Sequence, residues 1–221
     1  MLKANTVFRK RPDLSFEQFS DYWKNKHPAA IRKLLGVRKY VQTHPVRGLN
    51  KEWGYDALTQ LWVDDIDVFK EFASSGRFDA VVEDEEKFVD RSSIDLHLTD
   101  EHVIIDGDRT QAGIKQVVLV KRKPGMSPEE FQRHWLEVHA PLVGRPAGLI
   151  RYAQSHVRLG GYKNGKEPTF DGFGEMWFES IDAMKAARSA PGQDEVRADG
   201  QTFTDGSKTK SFLATEVLVI A

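Results

Sequence analysis

His134-Trp135-Leu136-Glu137-Val138-His139-Ala140-Pro141-Leu142 has a weaker copy of itself 112 positions earlier, Tyr22-Trp23-Lys24-Asn25-Lys26-His27-Pro28-Ala29-Ala30. Both place a Trp and a His four residues apart. The agreement spreads outward at the same offset, pairing Pro12 with Pro124, Ser15 with Ser127, Glu17 with Glu129 and Phe19 with Phe131. Downstream it pairs Gly36 with Gly148, Tyr40 with Tyr152, Gln42 with Gln154 and His44 with His156. Past a loop the offset becomes 115, matching Asp56 with Asp171, Trp62 with Trp177, Ile66 with Ile181, Phe88 with Phe203 and Glu101 with Glu216. One three-residue insertion accounts for the change. A repeat of about half the chain is the size of a small domain rather than of a solenoid unit.

Each half reads as β-α-β-β-α-β. An apolar strand signal (6–8 and 117–120) leads into a marked helix start, Ser15-Phe16-Glu17-Gln18 or Ser127-Pro128-Glu129-Glu130, with a Ser N-cap and Gln or Glu three residues on. Phe19, Trp23 and His27 share one helix face, as do Phe131, Trp135 and His139. Pro28 and Pro141 then disturb or end the helix. Strands follow at 37–46 and 57–63, and at 149–158 and 172–178, with a second helix at 66–72 or 181–188 and a terminal strand at 102–105 or 217–220. This predicts an α+β fold of two ferredoxin-like βαββαβ halves, residues 1–105 and 114–221, joined by a linker at 106–113 hinged at Gly107 and Gly113. A sheet with helices on one face only has a bare face to bury. The expectation is therefore an intramolecular dimeric α+β barrel, its halves packed sheet to sheet as a pseudo-dimer about a pseudo-twofold axis. Further oligomerisation is left open.

Composition narrows the function. A net charge of -1 gives no field for nucleic acid, and no binding motif is present. The absence of Cys excludes disulfides, thiol catalysis and cysteine-ligated metal. There is no P-loop, no dinucleotide fingerprint and no His-Glu-x-x-His, so neither a nucleotide cofactor nor a metal is expected. No apolar run reaches membrane-span length, and the start lacks a signal-peptide core; a soluble cytoplasmic protein is expected.

The stretch from Arg133 to Leu142, followed by Gly148-Leu149-Ile150-Arg151-Tyr152, resembles the EthD family of small dimeric α+β barrel proteins, whose motif is a helical Trp-x-x-x-His-x-Pro-Leu and then a Gly and a strand with Tyr. In the first half the Pro arrives one residue early and the Leu is absent. The resemblance covers most of both halves and makes the chain look like a tandem EthD protein. It implies a role in catabolic or secondary metabolism. Founding members are tied to ether degradation beside a cytochrome P450 system, and fungal relatives to decarboxylation or dehydration in aromatic polyketide pathways. Wider barrel relatives include cofactor-free cyclases and monooxygenases, and haem-binding enzymes. Fold analogy does not choose among these.

The residues that suit such chemistry are His27 and His139, natural acid–base groups at the border of core and pocket. Alternatively, each is a buried imidazole bonded to a carbonyl at a broken helix end. Tyr40, Gln42 and His44, like Tyr152, Gln154 and His156, lie on one strand face. They either bind a carbonyl or phenol in the pocket or serve as hydrogen-bonding residues of the interface between halves. Trp23, Trp135, Trp62 and Trp177 are candidates for an apolar substrate wall, or plain core. His97 and His102 lack His partners in the other half and are expected at the surface. The expected function is a small-molecule enzyme acting on an apolar or aromatic compound by His/Tyr acid–base chemistry, or as an oxidoreductase auxiliary, without a cofactor. The alternatives are a haem-binding barrel, with a helix His as ligand, and a non-catalytic carrier of a hydrophobic ligand. Because Pro28 directly follows His27 whereas Ala140 separates His139 from Pro141, His27 is expected off helical dihedrals and the second half is expected to be the functional copy.

Overall fold

A computed structural model describes residues 1–50, 52–144 and 146–221. The chain divides into two units. The first comprises 1–47, 54–98 and 216–221, and the second 48–53 and 99–215.

In the first half of the chain, strand β1 (Leu2–Lys10) leads to helix α1 (Phe16–Asn25), the short α2 (Pro28–Ile31), β2 (Val37–Pro45), β3 (Ala57–Val63), α3 (Ile66–Ser74), α4 (Asp79–Glu85) and β4 (Val89–Ile105). The second half repeats the order. It has β5 (Ile114–Val120), α5 (Pro128–His134), a π turn (Trp135–His139), α6 (Ala140–Val143), β6 (Leu149–Val157), β7 (Gly172–Phe178), α7 (Ile181–Arg188), α8 (Gln193–Phe203) and β8 (Lys210–Ile220). Strand β3 pairs antiparallel with both β1 and β2. In the second unit the order is β8–β5–β7–β6–β4, antiparallel throughout.

The helix starts follow the sequence. Ser15 Oγ accepts from Gln18 N–H and Ser127 Oγ from Glu130 N–H, and both capping boxes close. Alternation along the strands sends Leu2, Ala4, Tyr40, Leu61 and Val63 to the helices, where they pack with Ile31, Phe72 and Val81. Phe8, Phe19, Trp23 and Phe88 form a second aromatic cluster there, matched in the other unit by Phe131, Trp135 and Phe203.

Several expectations need correction. The stretch before each terminal strand holds a further helix, α4 or α8, and β4 is 17 residues long rather than a short strand at 102–105. His97 and His102 therefore lie within a strand. His97 is buried with Nε2 3.0 Å from Asp95, and the His102 ring centre is 4.6 Å from that of His156. Gly107 and Gly113 have a steric reason to be glycine. A Cβ on either would collide with a backbone carbonyl, that of Ile150 or of Glu179, so close approach is what demands glycine. The insertion loop of the second half is fastened by Lys121 to Pro168 O at 2.7 Å and by Tyr162 to Asp171 at 2.7 Å.

Pro28 does not expel His27 from the helix. Its dihedrals are φ -54°, ψ -36°, beside -68°, -43° at His139. The preference against helical geometry before proline is overcome by widening the turn. His27 N–H bonds Tyr22 O, five residues back, at 3.1 Å, and Ala140 N–H likewise reaches Trp135 O. The wider turn gives room for a proline ring in both halves, so in the second the helical path of α5 runs on through the π turn and α6 to Val143.

Candidate functional site

The Phe19–Trp23–His27 stripe aims His27 between α1 and the sheet, where it is 2% exposed. Its Nδ1 lies 2.9 Å from Asp84 Oδ2, on the last turn of α4. Tyr22 donates to the other oxygen of Asp84 at 2.7 Å, and Lys87 Nζ lies 3.2 Å from it. Burial lowers the His27 pKa against the pull of Asp84. Burial also acts on Asp84, but its bonds to Tyr22, His27 and Lys87 outweigh it and hold the carboxyl below its usual range. At neutral pH the pair is therefore a carboxylate accepting from a neutral imidazole. Nδ1 carries the proton, and Nε2 is left as a base.

The second half rebuilds this arrangement. His139 Nδ1 lies 2.8 Å from Asp199 Oδ2, and His134 Nε2, in the role of Tyr22, 2.8 Å from Asp199 Oδ1. Burial lowers the His139 pKa too. Asp84 and Asp199 were not singled out from the sequence, although they stand 115 apart, the offset already shared by Phe88 and Phe203. That shared offset was the signal available.

The strand triads face the helices of their own half, not an interface. Gln42 Nε2 donates to Trp23 O at 2.6 Å, and Gln154 Nε2 to Trp135 O at 3.0 Å. The same glutamines pair through Oε1 with His44 Nε2 at 3.1 Å and His156 Nε2 at 2.9 Å. His44 lies 4.1 Å from Trp23 between ring centres, and His156 stacks on Trp135 at 4.8 Å. Burial pushes His44 down to about 4 and His156 to about 3. Neutral imidazoles locked between a Trp and a Gln stiffen the wall. Tyr40 is buried 6.2 Å from His27 between ring centres. Burial first, and then Glu85, raise its pKa far above normal, so the phenol keeps its proton. Burial pushes Tyr152 up to about 12.

Trp62 and Trp177 do not join these groups. They occupy the opposite strand face, where Lys3 Nζ sits 4.7 Å over the Trp62 ring and Lys115 Nζ 4.7 Å over that of Trp177. Alternation along β3 and β7 dictates this, since Leu61 takes the helix side.

A cavity of about 70 Å³ opens between helices and sheet in the first unit. His27, Tyr40, Thr59 and Glu85 supply polar groups to a lining otherwise dominated by apolar residues such as Phe8, Ile31 and Phe88. Exposed Leu96 marks where it meets solvent. In the second unit a groove of about 420 Å³ runs along the outer side of the helix past His134 and Glu137. Glu85, also overlooked in the sequence, is drawn to Arg91 at 2.6 Å, yet burial pushes its carboxyl up to about 7. Among the described residues no group of three or more His, Asp or Glu side chains is arranged to hold a metal ion, and no helix is long and apolar enough to cross a membrane.

Solved structures share this architecture. An anthrone oxidase-like protein superposes with a TM-score of 0.67 at 12% identity, over 99% of this chain and 93% of its own. A protein proposed as a monooxygenase from Fusobacterium nucleatum gives 0.62 at 11%, over 98% and 93%. A chlorite dismutase from Candidatus Nitrospira defluvii gives 0.54 at 11%, over 97% and 91%. Such likeness shows the fold, an α+β architecture of ferredoxin-like halves of the dimeric α+β barrel type. The EthD domain model matches residues 11–92 and 123–207. The chain belongs to the EthD family and carries two copies of its domain. No curated protein matches it.

Proposed function

We propose that the cavity of the first half is the active site of a small-molecule enzyme working by proton transfer, with His27 as base and Tyr40 as hydrogen-bond donor. The observation that supports this best is the commitment of His27 Nδ1 to Asp84 while the ring lines a largely apolar cavity. A carboxylate bonded behind an imidazole fixes its tautomer and stabilises the imidazolium once Nε2 has taken a proton. Tyr40 retains its proton and can donate to an oxygen of the substrate, while Trp23, Gln42 and His44 hold the wall in place. His139, Tyr152, Trp135, Gln154 and His156 preserve the same network in the second half.

Size constrains the substrate. A cavity of about 150 Å³ takes benzene, so about 70 Å³ suits a molecule smaller than an aromatic ring unless the wall gives way. Apolar lining, with no Lys or Arg among the described residues that line the cavity, points to a neutral, mostly apolar compound. A porphyrin does not fit this volume, so His27 is not read as a haem ligand. A carrier would need the cavity but not the Asp84 carboxylate behind the base. The test is to extract small molecules from protein purified from its host, then follow their retention and conversion by wild type, His27→Ala and Tyr40→Phe. Retention with conversion lost in His27→Ala is expected. Undiminished conversion in both variants would refute the assignment.

A further inference from the structure

The two halves differ at one position beside the base. The offset of 115 that pairs Asp84 with Asp199 pairs Glu85 with Gly200. A Cβ built on Gly200 would stand 3.9 Å from His139 Cε1, so this position looks onto the imidazole. In the first half it carries a carboxyl that lines the cavity with His27 and Tyr40. One turn of α4 thus delivers two acids with separate tasks. Asp84 turns to Nδ1 of His27, and Glu85 lines the cavity, its Oε2 held by Arg91 at 2.6 Å.

Resting on the reading of this cavity as the substrate site, we propose that Glu85 is a catalytic acid acting opposite His27, and that the substrate is a neutral carbonyl compound with a removable proton on the adjacent carbon. His27 Nε2 takes that proton as the C–H bond breaks. The freed electron pair becomes the C=C bond of an enol. The carbonyl π pair takes the proton of Glu85, whose O–H bond breaks. The products are the enol, an imidazolium and a carboxylate, with no net change of charge and no oxidant or reductant. Tyr40 hydrogen-bonds the same oxygen, and Asp84 stabilises the imidazolium. An ionised ligand is disfavoured, because the desolvation that lowers the His27 pKa and raises that of Glu85 would fall on it as well. The charged and titratable groups around Glu85 are Arg91 on β4, His27 beyond α1, Tyr40 on β2 and its neighbour Asp84. Arg91 favours the carboxylate, whereas burial and Asp84 favour the acid.

The test uses acetone as probe, a ketone small enough for about 70 Å³, and acetate as its charged isostere. Exchange of acetone methyl protons for deuterium in heavy water is followed by proton NMR with the full-length protein. The unmodified chain should accelerate exchange over the His27→Ala variant, with a rate that rises as His27 loses its proton and falls as Glu85 loses its own. Glu85→Gln should lower the rate by about 100-fold, within the range for general acid–base catalysis, and abolish the fall at high pH. Acetate should not compete. Glu85→Gly, the residue the second half carries, should behave as Glu85→Gln does. Loss of exchange in His27→Ala with full rate and an unchanged pH profile in both Glu85 variants would overturn the role of Glu85 and leave the proposed site standing. No acceleration by the unmodified chain, or inhibition by acetate equal to acetone binding, would overturn the carbonyl assignment.

Discussion

Acid should act on this protein through buried groups of opposite sign, two of which can be separated by substitution. His156 lies stacked on Trp135, and burial first, then His102, bring its pKa from 6.5 to about 3. Between those values the unfolded chain binds a proton that the folded one refuses. The stability His156 confers is complete above 6.5 and drains away as pH falls towards 3. With one pKa unit equal to about 1.36 kcal/mol, a drop from about pH 7.5 to about pH 5 removes about 2 kcal/mol through His156. Glu85 works the other way. Its folded pKa of about 7 exceeds the 4.5 of the open chain. Its stabilising contribution is full below 4.5 and lost as pH rises through 7. The same drop in pH returns about 2 kcal/mol through Glu85. Glu85 offsets part of the loss in the wild type, to which His44, lowered to about 4, adds, so the variants carry the information. Urea unfolding at the two pH values, followed by tryptophan fluorescence, should show His156→Asn losing about 2 kcal/mol less on acidification than wild type, and Glu85→Gln about 2 kcal/mol more. Parallel pH dependence in all three proteins would refute the argument.

Asp84→Asn should lower the stability by about 1–3 kcal/mol, since it weakens the bonds to His27, Tyr22 and Lys87 at one half-buried position; chemical denaturation measures this, and an unchanged midpoint would count against the network. Phe131→Ala, at a site with no exposed surface, should cost about 3–5 kcal/mol. Ser127→Ala opens a capping box and should cost only about 1 kcal/mol. A reversal of the order of these last two in thermal melts would show that α5 is held by its cap rather than by its core face.

The helix stripes, the caps and the strands at 57–63 and 172–178 were legible because each rests on local geometry. A period of four residues, a Ser before an acid or amide, and alternating apolar positions need no knowledge of the rest of the chain. Asp84 and Glu85 were not legible in that way. They sit in Glu83-Asp84-Glu85-Glu86, where a run of acids reads as a solvated surface, and only the tertiary approach of α4 to α1 shows which acid turns inward. Glu85 was doubly hidden, because a reading built on matching residues passes over a position where the halves disagree. Pro28 misled for a related reason. The rule about residues preceding proline is a preference of the isolated chain, and Tyr22 O, by accepting from both Lys26 and His27, overrides it.

The widened turn before Pro28 explains the glutamine on β2. Once His27 N–H reaches back to Tyr22, the carbonyl of Trp23 loses the partner an ordinary helix would have given it, inside an aromatic cluster. Gln42 supplies the missing donor from the facing strand. In the second half the bulge falls one residue later, so Trp135 O keeps a backbone donor in Ala140 N–H and takes Gln154 as a second. In the first half, helix proline and strand glutamine thus behave as a lesion and its suture. Among relatives, a chain whose helix runs unbroken past this point has no wound to close, and its strand should be free to carry an apolar residue where this half carries Gln42.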